Sequence, residues 1–203
     1  MTIDAAAAFR SALLALQRTF DELARPAMII GGIAAIARGI PRQTIDIDAT
    51  IEAQGLDLNH ALEILGRHGF EPRIERADEF ARQRQVLLLS HRPSGVRLDL
   101  SLAWLPFERD ALARASTFDF GGVSVRVVTV EDLIVLKAVA WRLRDQDDIE
   151  RLLIRHGRSV NLPQIRAALV QLFGMLEEPE RLADFDRLVS VVDAREQDQR
   201  WPE

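Results

Sequence analysis

The chain has 203 residues, is 48% hydrophobic and carries a net charge of −5, which suits a packed core and argues against both a disordered chain and a protein that coats nucleic acid through a global basic field. No apolar run reaches membrane-spanning length, and the stretch AAAAFRSALLALQRTF, broken by Arg10, Gln17 and Arg18, lacks a signal-peptide pattern, so a cytoplasmic protein is expected. Cysteine is absent, which removes disulfides and thiolate ligands and leaves oxygen or imidazole to hold any metal.

In chain order, Asp4 to Leu23 sets Phe9, Leu13, Leu16, Phe20 and Leu23 at the three-four spacing of a helix with one buried side, and Pro26 ends it. Ala27 to Ile30 reads as a short buried strand. Gly32 to Arg38 follows as a helix, and Thr44 to Ile51 as a second strand after a turn over Gly39 to Gln43. Leu58 to His68 is a helix closed by Gly69, and Phe70 to Ile74 a strand entering a charged, poorly patterned segment. Gln85 to Ser90 and Val96 to Leu102 form a hairpin turning at Arg92-Pro93-Ser94-Gly95. Thr117 to Phe120 and Val123 to Val128 form another across Gly121-Gly122. The remainder reads as helical: Thr129 caps a helix through Leu143, Asp145 caps the next, Asn161 a third, and Pro179 lies near the start of a fourth. The expected organisation is an α/β core over 1–128 with an N-terminal helix, and a helical region over 129–203 packed on it.

The chemistry-bearing stretch is MIIGGIAAIARGIPRQTIDIDATI, Met28 to Ile51. Its second strand alternates Thr44, Asp46, Asp48 and Thr50 against Ile45, Ile47, Ala49 and Ile51, so two carboxylates share one face. Alone, Asp-x-Asp on an alternating strand is an ordinary solvated face. Gly31-Gly32 adds a place where backbone amides can approach an anion at a helix start, although a glycine pair also serves plain strand–helix packing. Asp99, between Leu98 and Leu100, lies on a strand whose other face is buried and needs water or a cation. Together Asp46, Asp48 and Asp99 can supply the oxygens of a site for magnesium or manganese that activates an attacking hydroxyl and stabilises a leaving pyrophosphate, with Asp99 as the expected general base.

Ile30-Gly31-Gly32, thirteen intervening residues, Asp46-Ile47-Asp48, and the later Leu98-Asp99-Leu100 resemble the signature of the DNA polymerase beta-like nucleotidyltransferase superfamily. Within it, GGIAAIARGIPRQTIDIDATI and VEDLIVLKAVAWRLRDQDDIERLL resemble the AbiEii/AbiGii-type branch, several of whose members are toxins of toxin-antitoxin systems. The resemblance covers the chain from near Met28 to Leu153. It implies an α+β fold: a small, mixed, twisted sheet flanked by helices and followed by a C-terminal helical portion. It further implies an enzyme that moves a nucleoside monophosphate from a nucleoside triphosphate, ATP among them, to a hydroxyl acceptor with Mg2+ or Mn2+, and an antitoxin as partner.

The resemblance also assigns roles. Gly31, Gly32, Arg42 and Thr44 would bind the nucleotide, the last two in the matching Arg-x-Thr-x-Asp-x-Asp arrangement, with Arg42 clamping phosphate oxygens. Lys137 in DLIVLK would reach the triphosphate. It is the single lysine among 26 basic residues, and arginine's planar fork does not reproduce its compact ammonium. Asp148 matches a later acidic motif and would position Lys137 or the acceptor. On one continuous helix those two residues would stand about 16 Å apart, so the helix must break near Asp145 for them to meet. Either Asp145 or Asp148 can be the functional acid.

His60, His68, His91 and His156 have no metal-ligand spacing and read as surface or packing residues. Trp104, Trp141 and Trp201 are candidates for stacking a base, Trp141 foremost. The acceptor stays open between tRNA, a protein hydroxyl and a small molecule; Arg67 to Arg97 holds seven arginines against four acidic residues, enough to meet tRNA phosphates or simply to face solvent. Two competing readings are a catalytically silent member of the fold acting as an interaction module, and an unrelated α/β protein with coincidental motifs.

Overall fold

A computed structural model of the chain describes residues 3–198, so Trp201 lies outside the described residues. The chain divides into two compact units, residues 3–37 with 42–128, and residues 38–41 with 129–198.

In the first unit, helices α1 (Ile3–Leu23), α2 (Gly31–Ala37), α3 (Leu58–Arg67), α4 (Ala77–Arg84) and α5 (Pro106–Arg114) are interspersed with seven strands. These are β1 (Ala27–Ile29), β2 (Asp46–Glu52), β3 (Phe70–Pro72), β4 (Val86–His91), β5 (Arg97–Ala103), β6 (Ser116–Asp119) and β7 (Ser124–Val127). They form one sheet in the order β3-β4-β5-β2-β1-β7-β6. The sheet is mixed: β2 runs parallel to β5 and β1 parallel to β7, while the remaining neighbours are antiparallel. Period-two alternation gives each central strand a sealed face. Ile47, Ala49 and Ile51 of β2 are 0% exposed, and Leu98, Leu100 and Leu102 of β5 are buried beside them. Asp46, Asp48 and Asp99 fall on the other face.

The expected α+β architecture with its mixed sheet is the one observed, and differences lie at the element ends and in two short helices. The second strand begins at Asp46 and not at Thr44, whose hydroxyl donates to the Asp46 carbonyl at 3.1 Å from an irregular segment before the strand. Helix α4 fills the segment that reads as unpatterned. Its buried residues are Ala77 and Ala81, one turn apart but too small to register as an apolar stripe. Helix α5 starts on Pro106, and the Glu108 carboxylate accepts from the backbone N–H groups of Trp104 and Leu105 at 2.9 and 3.0 Å. Both expected hairpins form, with left-handed glycines at Gly95, Gly121 and Gly122.

The second unit consists of α6 (Val130–Ala140), α7 (Leu143–His156), α8 (Leu162–Met175) and α9 (Arg181–Asp198). Thr129 and Asn161 cap α6 and α8 as expected, accepting from the N–H groups of Asp132 and Gln164, each at 3.1 Å. Helix α6 stops three residues before the expected Leu143 because Trp141 takes a left-handed conformation, φ 52°, and its N–H returns to the Lys137 carbonyl. Asp145 is consequently not the cap of α7. It sits three residues inside that helix's cap, Arg142, and accepts from the Arg142 N–H at 3.2 Å. Arg181 donates to the terminal carbonyls of Ala138 and Val139 and stacks over Phe173, closing the end of α6. Among the described residues no helix is long and apolar enough to cross a membrane.

Candidate active site

Parallel pairing of β2 with β5 sets Asp46 opposite Arg97 and Asp48 opposite Asp99. Neighbouring strands stand about 4.8 Å apart, so the four side chains form a two-by-two array on one face. All three carboxylates are partly exposed. Arg97 grips Asp46 through both ends of its guanidinium, Nε to Oδ1 at 2.8 Å and Nη2 to Oδ2 at 3.0 Å. Those hydrogen bonds and the charge of Asp46, with a smaller share from Asp99, raise the Arg97 pKa above its ordinary value. Arg73, just beyond β3, forms an ion pair with Asp99.

Asp48 takes a different partner. Its Oδ2 accepts from the Gly32 N–H at 3.4 Å. A Cβ added at Gly31 would fall inside the Asp48 carboxylate, and Gly31 is left-handed at φ 61°. Gly32 lies under Thr44, where a Cβ would come within 2.9 Å of Oγ1 and 3.4 Å of the Arg42 guanidinium carbon. The glycine pair thus serves close approach, with the nearest anion being the protein's own Asp48. Gly31, Gly32, Arg42, Thr44, Asp46, Asp48 and Asp99 are all brought to this part of the first unit.

Three carboxylates with no sulfur or imidazole are a donor set suited to Mg2+ or Mn2+. Among the described residues no three acidic or histidine side chains are gathered so as to hold a metal ion, and Asp46 and Asp99 each face a guanidinium. What fits such an ion is the chemistry of the donor set and the register that puts the three carboxylates on one face.

In the second unit the break at Trp141 lets α7 fold back on α6, and Lys137 meets both acids. Its Nζ lies 2.5 Å from Asp148 Oδ2 and 3.4 Å from Asp145 Oδ1, with all three side chains no more than 10% exposed. Lys137 and Asp148 therefore do pair, and Asp145 joins them. An ammonium has three donors, of which these two carboxylates engage two.

Several residues are placed elsewhere. Trp104 is 61% exposed beyond the end of β5. Trp141 lines a groove of about 430 Å³ with Gln146, Glu150, Arg187 and Arg195. His91 is buried against Phe70 and bonded to Ser94, His156 binds the Arg38 carbonyl, and His60 and His68 lie beside Glu63 and Glu22. The seven arginines between 67 and 97 are largely answered within the chain: Arg67, Arg73, Arg76, Arg82, Arg92 and Arg97 all pair with carboxylates. Sequence reading missed the placement of Arg73 and Arg97 at the acidic array. Arg97 was legible in principle, two residues before Asp99 and so on its face; Arg73 carried no such signal.

A family model described as the nucleotidyl transferase AbiEii toxin of a type IV TA system matches residues 14–201. The solution structure of the antibiotic-resistance factor ANT(2'')-Ia is 20% identical, with 83% of this chain and 95% of that chain covered at a TM-score of 0.55. The crystal structure of ANT(2'')-Ia in complex with adenylyl-2''-tobramycin is likewise 20% identical, covering 81% and 99% at a TM-score of 0.55. At that identity the likeness is one of fold. A search of curated proteins finds no match.

Proposed function

The chain belongs to the AbiEii nucleotidyl transferase family and is an enzyme of that type, and from this premise we propose metal-dependent transfer of a nucleoside monophosphate from an NTP to a hydroxyl, carried by Asp46, Asp48 and Asp99. The observation that supports it is the register: the chain pairs two strands about fifty residues apart so that all three carboxylates share one exposed face.

Asp46, Asp48 and Asp99 would hold the divalent ion. When bound, it would supply Lewis-acid charge to the triphosphate and make the attacking hydroxyl more acidic. The acceptor oxygen attacks the α-phosphorus, forming a P–O bond as the bond to the bridging oxygen breaks and pyrophosphate leaves. Asp99 accepts the hydroxyl proton. Arg42 and Thr44, beside Gly32, take the phosphate oxygens; Lys137, which the family resemblance assigns to the triphosphate, is held by Asp145 and Asp148.

The acceptor is a tRNA, a protein hydroxyl or a small molecule, the last being the class named for ANT(2'')-Ia in its tobramycin complex. Internal pairing of six arginines between 67 and 97 weakens the field that a tRNA groove would project. An antitoxin partner follows from the family's type IV toxin-antitoxin description.

Incubation with each labelled NTP, Mg2+ and separate pools of tRNA, protein and small hydroxylated acceptors tests the reading. Label transfer by wild type and its loss in Asp46→Ala are expected; equal transfer by the two would overturn it. Acceptor binding that weakens steeply with salt would select tRNA.

A further inference from the structure

The two arginines on the acidic array are unaccounted for by the reaction, and their geometry suits more than surface pairing. We infer that Arg97 and Arg73 are cation surrogates, holding Asp46 and Asp99 while the metal is absent and passing to the triphosphate when the metal arrives. The inference rests on the metal-dependent reading above.

Asp48 and Asp99 are direct cross-strand neighbours, a placement in which like charges repel, and Asp46 lies two residues along the same face. Three carboxylates so close need positive charge whether or not a divalent ion is bound. Arg97 and Arg73 supply it, one to each of two carboxylates.

Arg97 and Asp46 side chains are 48% and 35% exposed, and Arg73 and Asp99 28% and 44%. Ion pairs this wet are weak, so an ion that binds several carboxylates at once displaces them. The Lys137 cluster, at a tenth exposed or less, has no such freedom.

Arg97 sits on β5 two residues from Asp99, and alternation keeps it on that face whatever its rotamer. Arg73 is anchored by its own backbone, whose N–H donates to the Leu88 carbonyl at 2.9 Å, so its side chain pivots from a fixed point. A guanidinium released beside a triphosphate matches two phosphate oxygens with its planar fork.

The test is direct binding of Mn2+ to the full chain, followed by the electron paramagnetic resonance of the free ion, and then binding of a non-hydrolysable NTP analogue in saturating Mn2+. Arg97→Ala and Arg73→Ala are expected to bind Mn2+ about threefold to fivefold more tightly, as loss of an exposed competitor allows, and to bind the analogue more weakly by a similar or larger factor. Arg92→Ala removes the same charge from a pair with Glu71 on a neighbouring strand and should change neither. Tighter Mn2+ binding in all three would reduce the effect to net charge and overturn the inference. Unchanged or weaker Mn2+ binding in Arg97→Ala and Arg73→Ala, with binding still abolished in Asp48→Asn, would also overturn it while leaving the metal reading intact. If wild type and both arginine variants bound no Mn2+, the metal reading itself would fall.

Discussion

Two acidic clusters of this chain pair their carboxylates with cations to opposite ends. On the sheet face, Asp46 and Asp99 pair with arginines that remain partly in water; between α6 and α7, Asp145 and Asp148 enclose Lys137 almost fully. A wet pair contributes between nothing and about 1 kcal/mol, so its members are available to ligands. A dry pair resists loss of one partner, because a buried charge left alone costs about 3–5 kcal/mol. Exposure, more than residue type, separates the two clusters.

The largest effect expected from that contrast is on stability: Lys137→Ala should lose about 3–5 kcal/mol in urea unfolding. A variant as stable as wild type would break the comparison. Activity loss in Lys137→Ala then has two sources, and unfolding measured alongside transfer separates them. Next comes Gly31→Ala, which adds a side chain to a left-handed residue and drives it into Asp48. A loss of about 1–3 kcal/mol is expected in the same assay, together with a fall in transfer, since Asp48 must move.

Asp46→Asn sharpens the contrast from the other side. Stability should stay within about 1 kcal/mol of wild type, while transfer falls on the order of a hundredfold. Smallest is a pH effect at His91, buried in the β4–β5 hairpin. Desolvation there holds its pKa below the ordinary 6.5, so below pH 6.5 the unfolded chain takes up a proton that the folded chain refuses. Stability should decline as pH falls from 6.5 towards the folded-state pKa, and His91→Gln should flatten that decline in a pH series of melting temperatures.

Much of the site was legible because strand alternation is a strict rule. Asp46 and Asp48 had to share a face, and the apolar neighbours of Asp99 had to bury the opposite one. The register that sets Asp48 beside Asp99 was not legible, since it depends on β5 pairing across about fifty residues. Helix α4 escaped notice because alanines at 77 and 81 bury a helix without marking it, and α5 because its start rests on Pro106 and a Glu108 that reaches backwards. The break between α6 and α7 was required by the need to bring Lys137 to Asp148. Its position at Trp141 was hidden, because a left-handed tryptophan is not a sequence signal as glycine is.

The strand order carries a consequence for synthesis. The neighbours of β2 are β1, made shortly before it, and β5, made about fifty residues later, while β1 itself waits for β7. A nascent chain that has emerged through β2 therefore exposes an unpaired edge along Asp46 to Glu52 and carries two of its three proposed metal ligands with no third. Such non-local pairing forms slowly, and it keeps the acidic array incomplete until Asp99 has left the ribosome and docked. A chain cut after Pro93 would leave β2 without its second neighbour and the array without Asp99.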